Sequence, residues 1–178
     1  MQSLSPEQPR TSDRFQKTRA RILDAAARLI NEFGVRGLTF VAVGEAVGMN
    51  TTSITYYFRR KEQLAVAALE QAIDTLDQMI LAAAEEPTPD ARVSRLIRLR
   101  LDHSAAVRLG TQPMIAVLGD LRAIEEPERE RLLKRYQVMI WRTGRFFGPM
   151  DDTLTANRRI AAGQVLLDVI HWMRAWLP

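Results

Sequence analysis

Cysteine is absent from all 178 residues. Disulfides and thiolate metal sites are thereby excluded, and a reducing compartment is a natural setting. Histidine occurs twice, as His103 and His171, too few without thiolates for a transition-metal centre. No apolar run reaches the roughly 18 residues that would span a bilayer. The opening MQSLSPEQPRTSDRF lacks the apolar stretch of a secretory signal. These absences point away from membranes and toward the cytoplasm. There is no glycine-rich phosphate loop and no His-Glu-x-x-His motif. Asp102, His103 and Ser104 are consecutive, so on a helix they point in different directions and cannot form a relay. Catalytic residues, a metal and a cofactor are therefore not expected. No stretch alternates with period two for long, which argues against a sheet.

What remains is 47% hydrophobic and 26% charged, the composition of a globular chain with a real core. The net charge is only +4, but it is placed unevenly. Residues 1–62 hold ten Lys and Arg against six Asp and Glu, so the whole excess lies in the first third. Charge asymmetry of this kind marks a part that meets a polyanion.

Periodicity predicts helices throughout. Residues 1–12, polar and with two prolines, are expected to form a disordered arm. From Thr18 an inward stripe runs through Ile22, Ala25, Ala26, Leu29, Ile30 and Phe33, and Gly34 stops it. Thr39 suits an N-cap for a short helix from Phe40 to Val47, and Asn50 suits a second. A long helix opens at "RRKEQL" and ends before "EEPTP". Further helices are expected over 90–108, with Val93, Leu96, Ile97 and Leu101 inward, over 113–121, over 127–147 and over 153–176. The fold class is thus all-α. A three-helix unit over 13–62 is followed by a helical bundle over 63–178.

The stretch "LTFVAVGEAVGMNTTSITYYF" reads as two short helices around a turn. Val43, Val47, Met49 and Ile54 form the small core between them. Gly44 lies at the crossing, where only a small side chain fits. Gly48 lies in the turn, where positive φ is open to glycine at no steric cost. Helix, glycine turn and helix make a helix-turn-helix, whose second helix enters the major groove in DNA-binding examples. Thr51, Thr52 and Ser53 then form the turn that meets base edges. Tyr56 and Tyr57 reach phosphates. Lys61, flanked by Arg59 and Arg60, clamps phosphate. A plain hairpin with solvated hydroxyls is the weaker reading, because caps, glycine and basic flank agree. The basic residues Arg10, Arg14 and Lys17 ahead of the first helix either touch DNA or belong to a solvated tail.

The stretch "GLTFVAVGEAVGMNTTSITYYFRRKEQL" resembles the DNA-binding signature of the tetracycline-repressor (TetR) family of bacterial transcription regulators. The matching features are Phe33-Gly34, Thr39, the run from Val43 to Asn50, Phe58, and Lys61-Glu62. Gly44 replaces the family's usual alanine, and Thr55 stands where tyrosine is most common. The resemblance implies DNA contacts from Thr39, Thr51, Thr52, Ser53, Thr55, Tyr56, Tyr57 and Lys61. It also implies a homodimer, a small-molecule effector and repression of a near-palindromic operator.

For the dimer, the last helix offers Val165, Val169, Trp172 and Trp176 at 4-3-4 spacing. Either this face meets a second subunit or it is buried inside one chain. The family commonly has one more helix than can be counted here. For the effector, His103, Met114, Met139 and Trp141 are candidates, with Met79, Phe146 and Phe147 behind them. Ordinary core packing is the competing reading for each.

Overall fold

A computed structural model describes residues 9–176, with side chains described from 13 to 173 apart from that of Asp120. The helices are α1 (Pro9–Gly37), α2 (Phe40–Val47), α3 (Thr51–Tyr57), α4 (Lys61–Ala84), α5 (Pro89–Arg108), α6 (Glu128–Gly144) and α7 (Thr153–Trp176). Two 3₁₀ turns, Leu118–Ala123 and Arg145–Phe147, flank α6. No strand occurs among the described residues, so the chain is all-α. No helix among them is long and apolar enough to cross a membrane. Of the arm expected over 1–12, residues 1–8 lie outside the described residues. Pro9 already begins α1, since a helix start needs no N–H from its first residues.

The stripe of α1 buries Ile22, Leu23, Ala25, Ala26, Ala27 and Ile30. The helix breaks where expected, at Gly34, with φ 71° and ψ 174°. Phe33, expected inward, is 58% exposed. Because the backbone leaves helical geometry one residue later, Val35 and Leu38 take over the inward positions. Leu101 is a second correction, at 37% exposed. The buried face of α5 runs instead through Leu96, Arg100 and His103, a stripe that leaves Leu101 outside.

The spine of the molecule is α4, which packs against α1, α5 and α6. It buries Leu64, Leu69, Ile73, Leu76 and Ile80 essentially completely, with small alanines between them. Its outer side carries Glu70, Asp74 and Asp77, paired with Arg131, Arg135 and Arg142 of α6. Those pairs are partly exposed and contribute little singly, but together they fix the register of α6 along α4.

The expected helix over 113–121 is absent. Residues 113–117 run as an irregular strap, and only the 3₁₀ turn from Leu118 follows. The cause lies in α1. Asp24 Oδ1 accepts from the Met114 N–H at 2.6 Å. The Asn31 amide donates to the Ile115 carbonyl at 2.9 Å, and its oxygen accepts from the Val117 N–H at 2.7 Å. Of these three groups a helix would pair the Ile115 carbonyl and the Val117 N–H internally; both are paired with a side chain of another element instead. Ile115, Ala116 and Leu118 then bury their side chains in the core.

The pair α6 and α7 closes at two glycines. A Cβ on Gly163 would lie 2.5 Å from the Gly144 nitrogen and 2.8 Å from the Ile140 carbonyl oxygen. A Cβ on Gly144 would lie 2.9 Å from the Arg159 carbonyl oxygen. The two helices therefore meet backbone to backbone.

Two stability measurements check this packing. Gly163→Ala forces α6 and α7 apart and is expected to cost about 1–3 kcal/mol, read as a lower urea midpoint at unchanged slope. Asn31→Ala leaves the Ile115 carbonyl and the Val117 N–H unpaired and is expected to cost about 1–3 kcal/mol. It should also speed amide exchange at Val117, which a general loosening of the core would not do selectively.

Candidate nucleic-acid interface

The helix-turn-helix is built by its caps. Thr39 has extended φ/ψ of −133° and 152°, and its hydroxyl accepts from the Ala42 N–H. This opens α2. At its far end Gly48 is left-handed, with φ 69° and ψ 38°, and the Met49 N–H returns to the Gly44 carbonyl at 2.8 Å. That return brings the turn against α2 itself. A Cβ on Gly44 would lie 2.5 Å from the Met49 carbonyl oxygen, so the family's alanine does not fit this turn without a shift. Arg21 of α1 completes the joint, donating to the Val47 carbonyl at 2.9 Å. A cation there also complements the C-terminal end of the α2 dipole.

Asn50 then opens α3, its side-chain oxygen accepting from the Ser53 N–H at 2.7 Å. Ile54 is fully buried and Phe58 nearly so, which anchors α3 by one face. The other face is presented to solvent: Thr51, Thr52, Thr55 and Tyr56 are exposed and Ser53 is half-buried. Lys61 is exposed as the first residue of α4, beside exposed Arg59 and Arg60. The structure thus brings Thr51, Thr52, Ser53 and Tyr56 onto one short helix, with Thr39 and Lys61 at the starts of the helices on either side.

Two residues behave differently from the rest. Thr55 donates its hydroxyl hydrogen to the Thr52 carbonyl at 2.8 Å, a common option for helical threonine. Its donor is therefore committed within α3. Tyr57 is half-buried and stacks on Phe15 of α1, with ring centroids 4.8 Å apart. Tyr56 is 75% exposed and meets both Tyr57 and Phe15 edge-on. Arg19 lies over the Phe58 ring at 5.1 Å. Phe15, Arg19 and Arg21 thus support the reading helix, and the sequence analysis missed them. The signal was available: Phe15, Arg19 and Ile22 continue the i, i+4, i+7 stripe of α1 upstream of Thr18.

The four effector candidates do not line one common cavity; His103 borders a space of about 420 Å³ together with Met79. His103 is buried and its Nε2 bonds to the Pro113 carbonyl at 3.0 Å, which makes it a tie between α5 and the strap. Burial, with Arg100 nearby, lowers its pKa, against the opposing effect of the Pro113 bond. Met139 is core, Met114 is half-buried on the strap, and Trp141 is exposed with Arg145 over its ring. None of the four lines the apolar cavity of about 470 Å³ formed by residues 117–122, α6 and α7. On α7, Leu166, Leu167 and Ile170 are buried, while Val165, Val169 and Trp172 are exposed. Among the described residues that second face stays uncovered. The Trp176 side chain lies outside the described residues.

A family model described as bacterial regulatory proteins, tetR family, matches residues 22–68. The transcriptional regulator RutR of Escherichia coli (strain K12) is 33% identical over 115 residues, covering 58% of this chain and 54% of that protein. The regulator BetI of Rhizobium meliloti (strain 1021) is 33% identical over 82 residues, covering 46% and 40%. The chain thus matches about half the length of these curated relatives. Among solved structures, a TetR-family regulator from Bordetella parapertussis 12822 aligns over 92% of this chain and 85% of its own, with a TM-score of 0.71 at 18% identity. AibR in complex with isovaleryl coenzyme A and operator DNA aligns over 90% and 88%, with a TM-score of 0.68 at 19% identity. The matched segment contains α2, α3 and the start of α4, and the fold extends over the remaining helices. Residues 22–68 thus match the tetR family of bacterial regulatory proteins, and the described helices share the fold of solved members of that family.

Proposed function

We propose that the chain is a cytoplasmic, dimeric and effector-responsive transcriptional regulator, acting as a repressor at a near-palindromic operator. The observation that carries this reading is α3. It is a helix pinned by Ile54 and Phe58 whose opposite face offers Thr51, Thr52 and Ser53 in its first turn. Short hydroxyls at the start of a helix in the major groove can bond to base edges, and a threonine methyl can contact thymine.

In this reading residues 13–62 form the reading head and residues 63–178 the effector and dimer part. Thr51, Thr52 and Ser53 read sequence. Thr39, Tyr56, Tyr57 and Lys61 hold the backbone, and Thr55 completes the surface with its donor committed to Thr52. The uncovered face of α7, with Val165, Val169 and Trp172 exposed, supports a subunit contact, to which Trp176 would add by its spacing. Two heads then engage half-sites about one helical turn apart or a multiple of it. The effector is a small organic molecule.

Selection from random duplex oligonucleotides tests the reading: enrichment of a near-palindrome is expected, and no preference over random DNA would overturn it. Lys61→Ala should weaken all sequences about equally and reduce the salt slope by about 1. Thr51→Ala or Ser53→Ala should cost about 1–3 kcal/mol at particular bases only. Thr55→Val, which removes a hydroxyl whose donor is already occupied, should change operator affinity by less than about twofold, because no contact worth a typical ~1 kcal/mol is lost.

A further inference from the structure

The cavity beside α7 carries more chemistry than its apolar walls. Val117, Leu118, Leu121, Leu133 and Trp172 give the apolar lining, and Tyr136 and Asp168 meet at one wall. The Gln164 amide faces both, with Nε2 lying 3.0 Å from the Tyr136 hydroxyl oxygen and 2.9 Å from Asp168 Oδ1. An ionised carboxylate only accepts, so the atom facing both groups must be the nitrogen. It follows that the Tyr136 oxygen accepts from Gln164, and the tyrosine's own hydrogen is directed to another acceptor. Burial, with the Asp168 charge adding to it, raises the Tyr136 pKa against the opposing Gln164 bond, so the phenol stays a donor at neutral pH.

The charges around the cavity balance. Arg122 lies on the 3₁₀ turn and Asp168 on α7. His171 is tied through Nδ1 to the Leu167 carbonyl at 3.0 Å, which fixes a proton on that nitrogen. An ion entering this space loses water without meeting a net opposite charge. A neutral molecule loses little and gains the apolar walls. The volume of about 470 Å³ lies in the range of small-molecule sites.

We propose that this cavity is the effector site, and that it takes a neutral, mainly apolar molecule whose carbonyl or similar acceptor receives the Tyr136 hydrogen bond. The identification as an effector site rests on the regulator reading above; the ligand class does not.

The test is fluorescence titration of the full chain, without DNA, by prodan, a neutral naphthyl ketone. Anilinonaphthalene sulfonate serves as its anionic counterpart. Saturable prodan binding is expected, with the sulfonate weaker. Tyr136→Phe should weaken prodan about five- to tenfold, the effect of one lost hydrogen bond, and Leu133→Trp should block it by filling the space. Asp168→Asn should strengthen the sulfonate more than prodan. Unsaturable prodan binding, or binding undiminished by both Tyr136→Phe and Leu133→Trp, overturns the site. A sulfonate that binds as tightly as prodan overturns the neutral class. Prodan affinity that falls as protein concentration rises overturns the proposal in favour of a second copy of the chain as occupant. Tyr136→Phe removes one oxygen and keeps the fold, so the test stands even where Leu133→Trp does not fold. Failure here leaves DNA selection untouched, and failure of DNA selection leaves the dye result untouched.

Discussion

Everything in this chain hangs on the burial of α4. A helix of 24 residues that inserts eleven side chains into the core cannot tilt or slide without opening contacts with three neighbours. Interiors at crystal-like density resist that. Its first residue is Lys61, beside the reading helix, and its last turn lies beside α5. One rigid rod therefore joins the surface proposed to meet DNA to the rest of the bundle. The arginine pairs from α6 add register to that rod rather than much energy, since each is half-exposed.

A second connection runs beside it. The strap over 113–117 is held to α1 by Asp24 and Asn31 and to α5 by His103. Its last residue, Val117, lines the cavity together with Leu118 and Leu121. The wall that a ligand would press on and the backbone clamped to the helix supporting α3 are thus one short stretch of chain. A displacement of Val117 acts on Asn31 through a 2.7 Å hydrogen bond. Both partners are rigid, α1 because its stripe is buried and the strap because Ile115 and Ala116 are.

The local grammar of the head was legible in the sequence. The glycines that turn, the residues that cap and the apolar positions at helical spacing all act within a few residues of one another. The bounds of α2, α3 and α4 came directly from Thr39, Gly48, Asn50 and the break at "EEPTP". What was not legible depends on partners far along the chain. Nothing in "QPMIAVLG" says that an asparagine more than eighty residues earlier will take its backbone groups, so a helix was the natural expectation there. His103 and Met114 suggested a pocket by residue type, yet the cavity beside α7 is lined by neither, and His103 borders a separate space with Met79. A histidine's partner is set by which helix packs on it, and no spacing encodes that. Phe33 failed for a local reason, because the stripe was extended to the last residue before a glycine whose backbone had already left the helix.

The reading surface divides its work in a way the composition anticipates. α3 carries no charged residue, and its outward groups are hydroxyls and one exposed phenol. In the proposed role, specificity would come from short, weakly polar contacts at base edges, which tolerate little misplacement. The rigidity of the support is then a requirement rather than a by-product: Gly44 lets the turn close onto α2, and Phe15 and Arg19 brace the far end of α3 from α1. Attraction to a phosphate backbone would come from elsewhere, chiefly the exposed Arg59, Arg60 and Lys61, and would be long-ranged and salt-sensitive. Thr55 fits this division. A tyrosine there would add another backbone contact, whereas a threonine bonded to Thr52 stiffens a helix of only seven residues. On the proposed reading that position serves the shape of α3 more than a hold on the duplex.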